Sequence, residues 1–412
     1  MERVVITGMG VISPLGNDAD SFWSRLVQGQ SGISRIDSFD TSKHKVKIAG
    51  AVRDFDANAR FGAKEARRLD RFCQFALAAA EQAFDSSGLR LDKINRERLG
   101  VYIGSGVGGI GTLMKQSVLL ASRGPERVSP TLVPMMISNM AAAVVSIKYG
   151  ALGSSLSPVT ACSIGNTTIG EAFFNIQAGR SDIIVVGGTE AALTDISLAS
   201  FANATALSTR NDQPEQASRP FDAGRDGFVM AEGAGILILE SLTHALRRNA
   251  PILGEVIGYG ASSDAYHMVA TPADGSGAAR AMKSALAEAG LSPGDIDLIS
   301  AHATSTVIGD RSETTAIKQV FGSAAYGIPV TANKSMTGHM LGASGAIEAI
   351  ALVKSLQEGI IPPTINLETP DPECDLDYVP NRARTANLTV GISNSFGFGG
   401  HNSAIVIRKF EM

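Results

Sequence analysis

Two stretches of this chain echo one another: Ser181-Asp182-Ile183-Ile184-Val185-Val186 and Gly294-Asp295-Ile296-Asp297-Leu298-Ile299. Each follows an Ala-rich helical run and precedes a turn of small residues. A chain that twice sets such a helix before a short apolar strand points to an α/β architecture built by duplication. The apolar spacing extends the pattern. It predicts strands over residues 3–7, 99–104, 181–188, 233–239, 253–259, 296–301, 388–393 and 404–409. Helices are predicted over 64–87, 277–289 and 345–358. Alternation of this kind argues for mainly parallel sheets covered by helices. The two halves divide near residue 250, as 1–250 and 251–412. Between the echoes, residues 208–226 are polar, with proline and several charges, and read as a long surface loop.

Charge and cysteine content narrow the function. The net charge of −4 supplies no basic field for nucleic acid. No run of about 18 apolar residues offers a membrane span. The first eight residues lack the apolar core and cleavage site of a signal peptide, so a cytoplasmic location is expected. Cys73, Cys162 and Cys374 form an odd, widely spaced set that suits neither a disulfide framework nor a Cys-x-x-Cys metal site.

Four segments carry candidate chemistry. The first is Thr160-Ala161-Cys162-Ser163-Ile164-Gly165, extended upstream and helical downstream. A cysteine at a helix N-terminus meets free N–H groups and positive potential, which favour the thiolate nucleophile. The alternative is a buried structural cysteine. The second is Ala301-His302-Ala303-Thr304-Ser305-Thr306, directly after a predicted strand. The third, Asn333-Lys334-Ser335-Met336-Thr337-Gly338-His339, has a similar setting. A histidine in a loop of small residues at a strand end is placed to face a cleft. Neither has a carboxylate or cysteine beside it at metal-ligand spacing. His44, His244, His267 and His401 are given no catalytic role. The fourth is Asn394-Ser395-Phe396-Gly397-Phe398-Gly399-Gly400, where dense glycine lets the backbone approach a substrate. A G-x-G-x-x-G pattern at residues 104–109 follows a strand. It lacks the strand-end acid about 20 residues on that a dinucleotide site needs, so nucleotide binding is set aside.

One cysteine and two histidines, in this order and these contexts, resemble the β-ketoacyl-ACP synthases (ACP, acyl carrier protein) of the thiolase-like superfamily, most closely the elongating type II. The likeness runs over nearly the whole chain. It includes VVITGMGVISPLGN, KEARRLDR, RVSP, TACSIG, ALSTRND, SRPFDAGRDGFVMAEGAG, HATST, KSMTGHMLGASG, IPPTIN and SNSFGFGGHN. It implies a five-layered αβαβα fold of two similar halves, and a homodimer or a heterodimer with a paralogous chain-length subunit. It implies that Cys162 takes the acyl chain from ACP as a thioester. His302 and His339 would assist decarboxylation of malonyl-ACP. The N–H groups of Cys162 and Phe398 would hold the oxyanion. Lys334, paired with Asp310 and Glu313, would organise the site. Thr304 and Thr306 would contact the phosphopantetheine arm. Val107 and Phe201 would line the acyl pocket, with Phe398 as its gate. No cofactor is implied beyond the phosphopantetheine that arrives on ACP.

ACP is acidic, so the docking patch on this net-negative chain must be local. Lys64, Arg67, Arg68 and Arg71 are placed on one side of a helix, with Arg127 and Arg210 as additions. Three departures bear on specificity. Ser163-Ile164 stands where the resembled family has two small residues, so Ile164 is expected to narrow the site. Ala303 replaces a frequent glycine, and Val307-Ile308 a common Pro-Leu. Chain length and pathway, primary or polyketide, stay open. A thiolase acting on CoA thioesters would carry a second cysteine near Phe398, where there is none. A non-catalytic chain-length subunit would lack Cys162.

Overall fold

Ten strands form the main sheet of the computed structural model, which describes residues 1–411. They are β1 (Val4–Ile12), β2 (Leu99–Gly104), β3 (Ser155–Leu156), β4 (Ile183–Glu190), β5 (Gly233–Ser241), β6 (Gly254–Ser263), β7 (Leu298–Ser300), β8 (Val330–Thr331), β9 (Val390–Gly397) and β10 (His401–Arg408). Their spatial order is β8-β7-β9-β10-β6-β1-β5-β4-β2-β3. The duplication is explicit in that order. The first five strands lie third, second, fourth, fifth, first from one edge, and the second five repeat the arrangement from the other. The pairing types repeat as well: β2 pairs in parallel with β3 and β4, and β7 with β8 and β9. The remaining pairings are antiparallel, including the short junction where Val4–Ile6 of β1 meets Gly254–Val256 of β6. The sheet is therefore mixed rather than mainly parallel. Each half returns its last strand antiparallel beside its first, which periodicity along the chain does not register.

Six helices layer these strands. On the outer face of the first half lie α1 (Arg71–Ser87) and α2 (Met140–Tyr149). Between the halves lie α3 (Ile164–Gln177) and α6 (Ser344–Glu358). Covering the second half are α4 (Ser276–Ala289) and α5 (Val307–Phe321). The result is five layers, αβαβα. Three apolar clusters match them: one under each outer layer, and a central one through Ile169, Phe173, Ile347, Ile350 and Leu352. Strands β4 and β5 are buried at every position, because helices cover both faces.

Two local expectations need correction. The helix predicted from residue 64 begins at Arg71. Asp70 caps it by accepting the N–H of Phe72, and Ala63–Ala66 form a separate turn. The polar stretch 208–226 is a surface loop only in part. Ser218, Arg219, Phe221, Asp222 and Arg225 are buried, and the three charged ones among them are paired inside the protein.

The central helices cross closely at glycine. A Cβ at Gly165 of α3 would lie 2.1 Å from the backbone N of Ala346, and Gly345 faces Asn166 in the same way. That approach sets the distance between the halves. The Gly165→Ala variant is expected to lose about 2 kcal/mol or more of stability, because both α3 and α6 are enclosed and neither can move aside. Denaturant unfolding measures this, and wild-type stability in the variant would contradict the packing.

Candidate active site

The duplicated topology brings the candidate segments together. The turn Ala161–Ser163 lies between β3 and α3, so Cys162 sits at the entry to the central helix. His302 follows β7, and His339 follows the short helix Lys334–Thr337 after β8. Both histidines line, with Cys162, a cavity of about 350 Å³. The rings of His302 and His339 lie 5.5 Å apart and nearly perpendicular. Thr304, Thr306, Val107, Phe201 and Phe398 line the same cavity, which places every predicted substrate-contacting residue on it. Phe398 is 38% exposed and packs beside Phe201 at 6.2 Å between centroids, a position consistent with the mouth. Ile164, by contrast, is completely buried against Gly104 and Gly342 and is not part of the lining, so it does not narrow the cavity.

Lys334 is buried beneath the histidines. Its Nζ donates to Glu348 Oε1 at 2.5 Å and lies 3.5 Å from His302 Nδ1. The expected partners Asp310 and Glu313 are engaged elsewhere. Glu313 accepts the backbone N–H of His302 at 2.9 Å and of Ala303 at 2.7 Å. Asp310 accepts the N–H of Phe221 and of Ser305 and pairs with Arg225 at 3.1 Å. Both acids project from α5 onto the loop that carries His302, so they fix its backbone rather than neutralise Lys334. Ala303 holds φ at +31°, in the region that favours glycine; this is the physical reason a glycine suits the position.

The electrostatics follow from burial. It pushes the Cys162 thiol up to about 12, against the pull of Lys334 and of the N–H groups of Phe398 and Cys162 itself. The resting thiol is therefore protonated. The thiolate expected from a helix N-terminus does not prevail, because desolvation outweighs it. His302 and His339 are held well below the usual histidine range, first by burial and then by the Lys334 charge. Both rings are neutral at ordinary pH. Their hydrogen-bond partners assign the tautomer. An ammonium only donates, so His302 Nδ1 accepts and its proton sits on Nε2. Ser344 Oγ accepts the N–H of Met340 at 2.9 Å, and among the described residues its own proton has no acceptor but His339 Nδ1 at 3.0 Å, so the hydroxyl donates there. Both rings thus carry Nε2–H. Burial also pushes Glu348 and Asp310 up, against the pull of the Lys334 charge on the first and the Arg225 charge on the second.

Among the described residues, no group of three His, Cys, Asp or Glu side chains is placed to hold a metal ion. None of their helices is long and apolar enough to cross a membrane. Cys73 and Cys374 are free and buried away from this cavity. Of the basic residues, Lys64, Arg67, Arg68 and Arg127 are exposed. Arg71 instead pairs with Glu232 at 2.8 Å and lies over the Phe75 ring, and Arg210 donates to Gly224 O at 2.7 Å. Sequence reasoning missed Glu348. It stands alone in the apolar run Ala346-Ile347-Glu348-Ala349-Ile350, and an acid there demands a buried cation.

Removing one partner of a buried pair strands the other charge. Lys334→Met and Glu348→Gln are each expected to cost about 3 kcal/mol of stability, and the double variant less than their sum. Denaturant unfolding of the cycle tests this; strict additivity would contradict the coupling.

Comparison with known proteins identifies the family. The family model "Beta-ketoacyl synthase, N-terminal domain" matches residues 1–245, and "Beta-ketoacyl synthase, C-terminal domain" matches 253–368. The chain is 50% identical over 410 residues to a 3-oxoacyl-(acyl-carrier-protein) synthase 2 of Synechocystis, covering 100% of this chain and 99% of the relative. It is 48% identical over 410 residues, with the same coverage, to the synthase of that name from Staphylococcus aureus. A β-ketoacyl synthase structure from Burkholderia phymatum matches with a TM-score of 0.93 at 35% identity, covering 100% of both chains. A type II polyketide acyl-carrier protein in complex with its ketosynthase matches with a TM-score of 0.92 at 38% identity, again covering 100% of both. The chain belongs to the β-ketoacyl synthase family.

Proposed function

We propose that this chain is a 3-oxoacyl-ACP synthase that condenses a Cys162-bound acyl group with malonyl-ACP, releasing CO2 and 3-oxoacyl-ACP. The observation that carries the proposal is the convergence of one buried thiol and two neutral imidazoles, Nε2–H in each, on one cavity. Cys162 attacks the acyl-ACP thioester. Its proton passes to the departing pantetheine sulfur, so the thiol's high pKa sets no standing charge in the empty site. The N–H groups of Cys162 and Phe398 both act on the Cys162 sulfur, which supports their role as donors to the tetrahedral oxyanion. In the second stage malonyl-ACP loses CO2. The resulting enolate oxygen accepts from Nε2–H of His302 and His339, and its carbon attacks the acyl thioester, expelling Cys162 as a thiolate that takes a proton from solvent to restore the resting thiol. Neutral donors suit this step: an imidazolium would protonate the enolate rather than hold it. Lys334 acts behind His302, keeping the rings uncharged and oriented.

Thr304 and Thr306, with hydroxyls 3.1 Å apart, contact the phosphopantetheine arm, and Val107 and Phe201 line the acyl chamber behind Phe398. Lys64, Arg67, Arg68 and Arg127 remain the candidates for docking acidic ACP. The exposed edge strand β3 carries exposed Leu156 and is flanked by exposed Ile147, Leu152 and Val159. Such an edge calls for cover, and a second copy of the chain fits it. A cytoplasmic setting keeps the three free cysteines reduced. The halves 1–250 and 251–412 are read as two units of one duplicated enzyme.

Intact-mass analysis after incubation with acyl-ACP donors is expected to show one acyl adduct on the wild type and none on Cys162→Ala, with a dimer in native mass spectra. Adducts from acyl-CoA alone would favour a thiolase-like enzyme. No adduct from either donor would favour a non-catalytic partner subunit, and a chain that pairs only with a paralogue yet takes the acyl group would be the active half of a heterodimer.

A further inference from the structure

The G-x-G-x-x-G turn after β2 has the form of an anion-binding loop, and the anion it holds is the protein's own. Glu190, the last residue of β4, is completely buried. Its carboxylate accepts the hydroxyl of Ser105 at 2.8 Å and the N–H groups of Gly106 at 2.9 Å and Val107 at 3.1 Å. From the other half of the molecule it accepts the N–H of Gly342 at 3.1 Å. Ser105 Oγ in turn accepts the N–H of Gly108 at 3.0 Å, which closes the turn around the carboxylate. A Cβ at Gly106 or Gly342 would come within 3.0 Å of Glu190 Oε2, so the close approach needs glycine on both sides.

The internal repeat explains why an anion sits here. Strand β4 corresponds to β9, so Glu190 corresponds to Gly397, the last residue of β9. The turn Leu341–Ala343 before α6 corresponds to Ala161–Ser163 before α3, so Gly342 corresponds to Cys162. The preceding residues, Leu341 and Ala161, share the same unusual backbone, with φ of +46° and +50°. In the N-terminal half the N–H of Cys162 faces the reacting centre. In the C-terminal half the equivalent N–H, that of Gly342, is taken by Glu190.

We infer that Glu190 is a positioning residue for the acyl pocket: by tying the Gly106–Val107 turn to the Leu341–Gly342 turn, it fixes the wall at Val107 and thereby the acyl length accepted. Gly106, Val107 and Leu341 all line the cavity, so both ends of the clasp are pocket wall. The inference rests on the condensing-enzyme reading above. Glutamine has the right shape but the wrong donors. One carboxylate oxygen takes two N–H groups and the other takes an N–H and a hydroxyl, so either orientation of an amide sets N–H against N–H.

The test is acylation of Glu190→Gln with saturated acyl-ACP donors of graded length, beside the wild type. The ratio of long-donor to short-donor rates is expected to rise about fivefold or more as the wall loosens. Alkylation of Cys162 by iodoacetamide is expected to be faster than in wild type, because the Glu190 charge opposes the thiolate, and to stay near the wild-type rate in Ser105→Ala, which loosens the same turn but keeps the charge. A folded variant with an unchanged length ratio overturns the inference. If Glu190→Gln does not fold, Ser105→Ala decides: it removes one donor and keeps the charge. A shift toward long donors supports the clasp, and an unchanged ratio overturns it. A wild type that takes no acyl group from any ACP donor fails the condensing-enzyme reading instead, before any variant is compared.

Discussion

Lys334 and Glu348 hold opposite charges where water does not reach: the lysine is 1% exposed and the pair meets at 2.5 Å. Enclosing two charges is costly, and their mutual attraction offsets that cost only while the geometry is kept. The pair therefore constrains its surroundings. Glu348 projects from α6, the helix shared by both halves, and Lys334 from the segment leading to His339. The ammonium also faces His302 Nδ1, which makes that ring an acceptor on the inside and a donor toward the cavity. One buried cation thus sets the tautomer of His302 and adds its field to the larger effect of burial in keeping both rings neutral.

Duplication supplied the frame and divergence the chemistry. Each half presents the same turn, with one left-handed residue ahead of a central helix. One copy carries the nucleophile Cys162; the other carries Gly342, whose N–H is satisfied by Glu190. The C-terminal half instead places its histidines after its second and third strands, β7 and β8. The proposed reaction needs both halves, because α3 and α6 bring these turns together only through the glycine contact at Gly165 and Gly345.

Much of this was legible in the chain. The apolar runs at 181–188 and 233–239 betrayed strands buried on both faces. The echo of residues 181–186 in 294–299 pointed to a duplication but matched the wrong strands: it aligns β4 with β7, whereas the fold makes β4 equivalent to β9 and β7 to β2. Cys162, His302 and His339 stood out because each lies in a loop of small residues beside a strand or helix end. The partners of the buried charges were not legible. Asp310 and Glu313 lie on a different helix from Glu348, and which acid reaches Lys334 depends on packing between elements far apart in the chain. The high thiol pKa escaped for a similar reason: a helix N-terminus is visible in sequence, whereas complete burial of the sulfur is not. Arg71 looked like surface because its partner Glu232 lies 161 residues away.

The central claim is that both active-site imidazoles are neutral, with the proton on Nε2. Nitrogen-15 NMR of the histidine side chains tests it most directly, with His302→Ala and His339→Ala variants to assign the signals. The account predicts two rings with an unprotonated Nδ1 and a protonated Nε2 that do not titrate between pH 6 and pH 8, because their pKa values lie well below the usual 6.5. An imidazolium signal from His302 or His339 within that range, or a proton on Nδ1 of either ring, would contradict it.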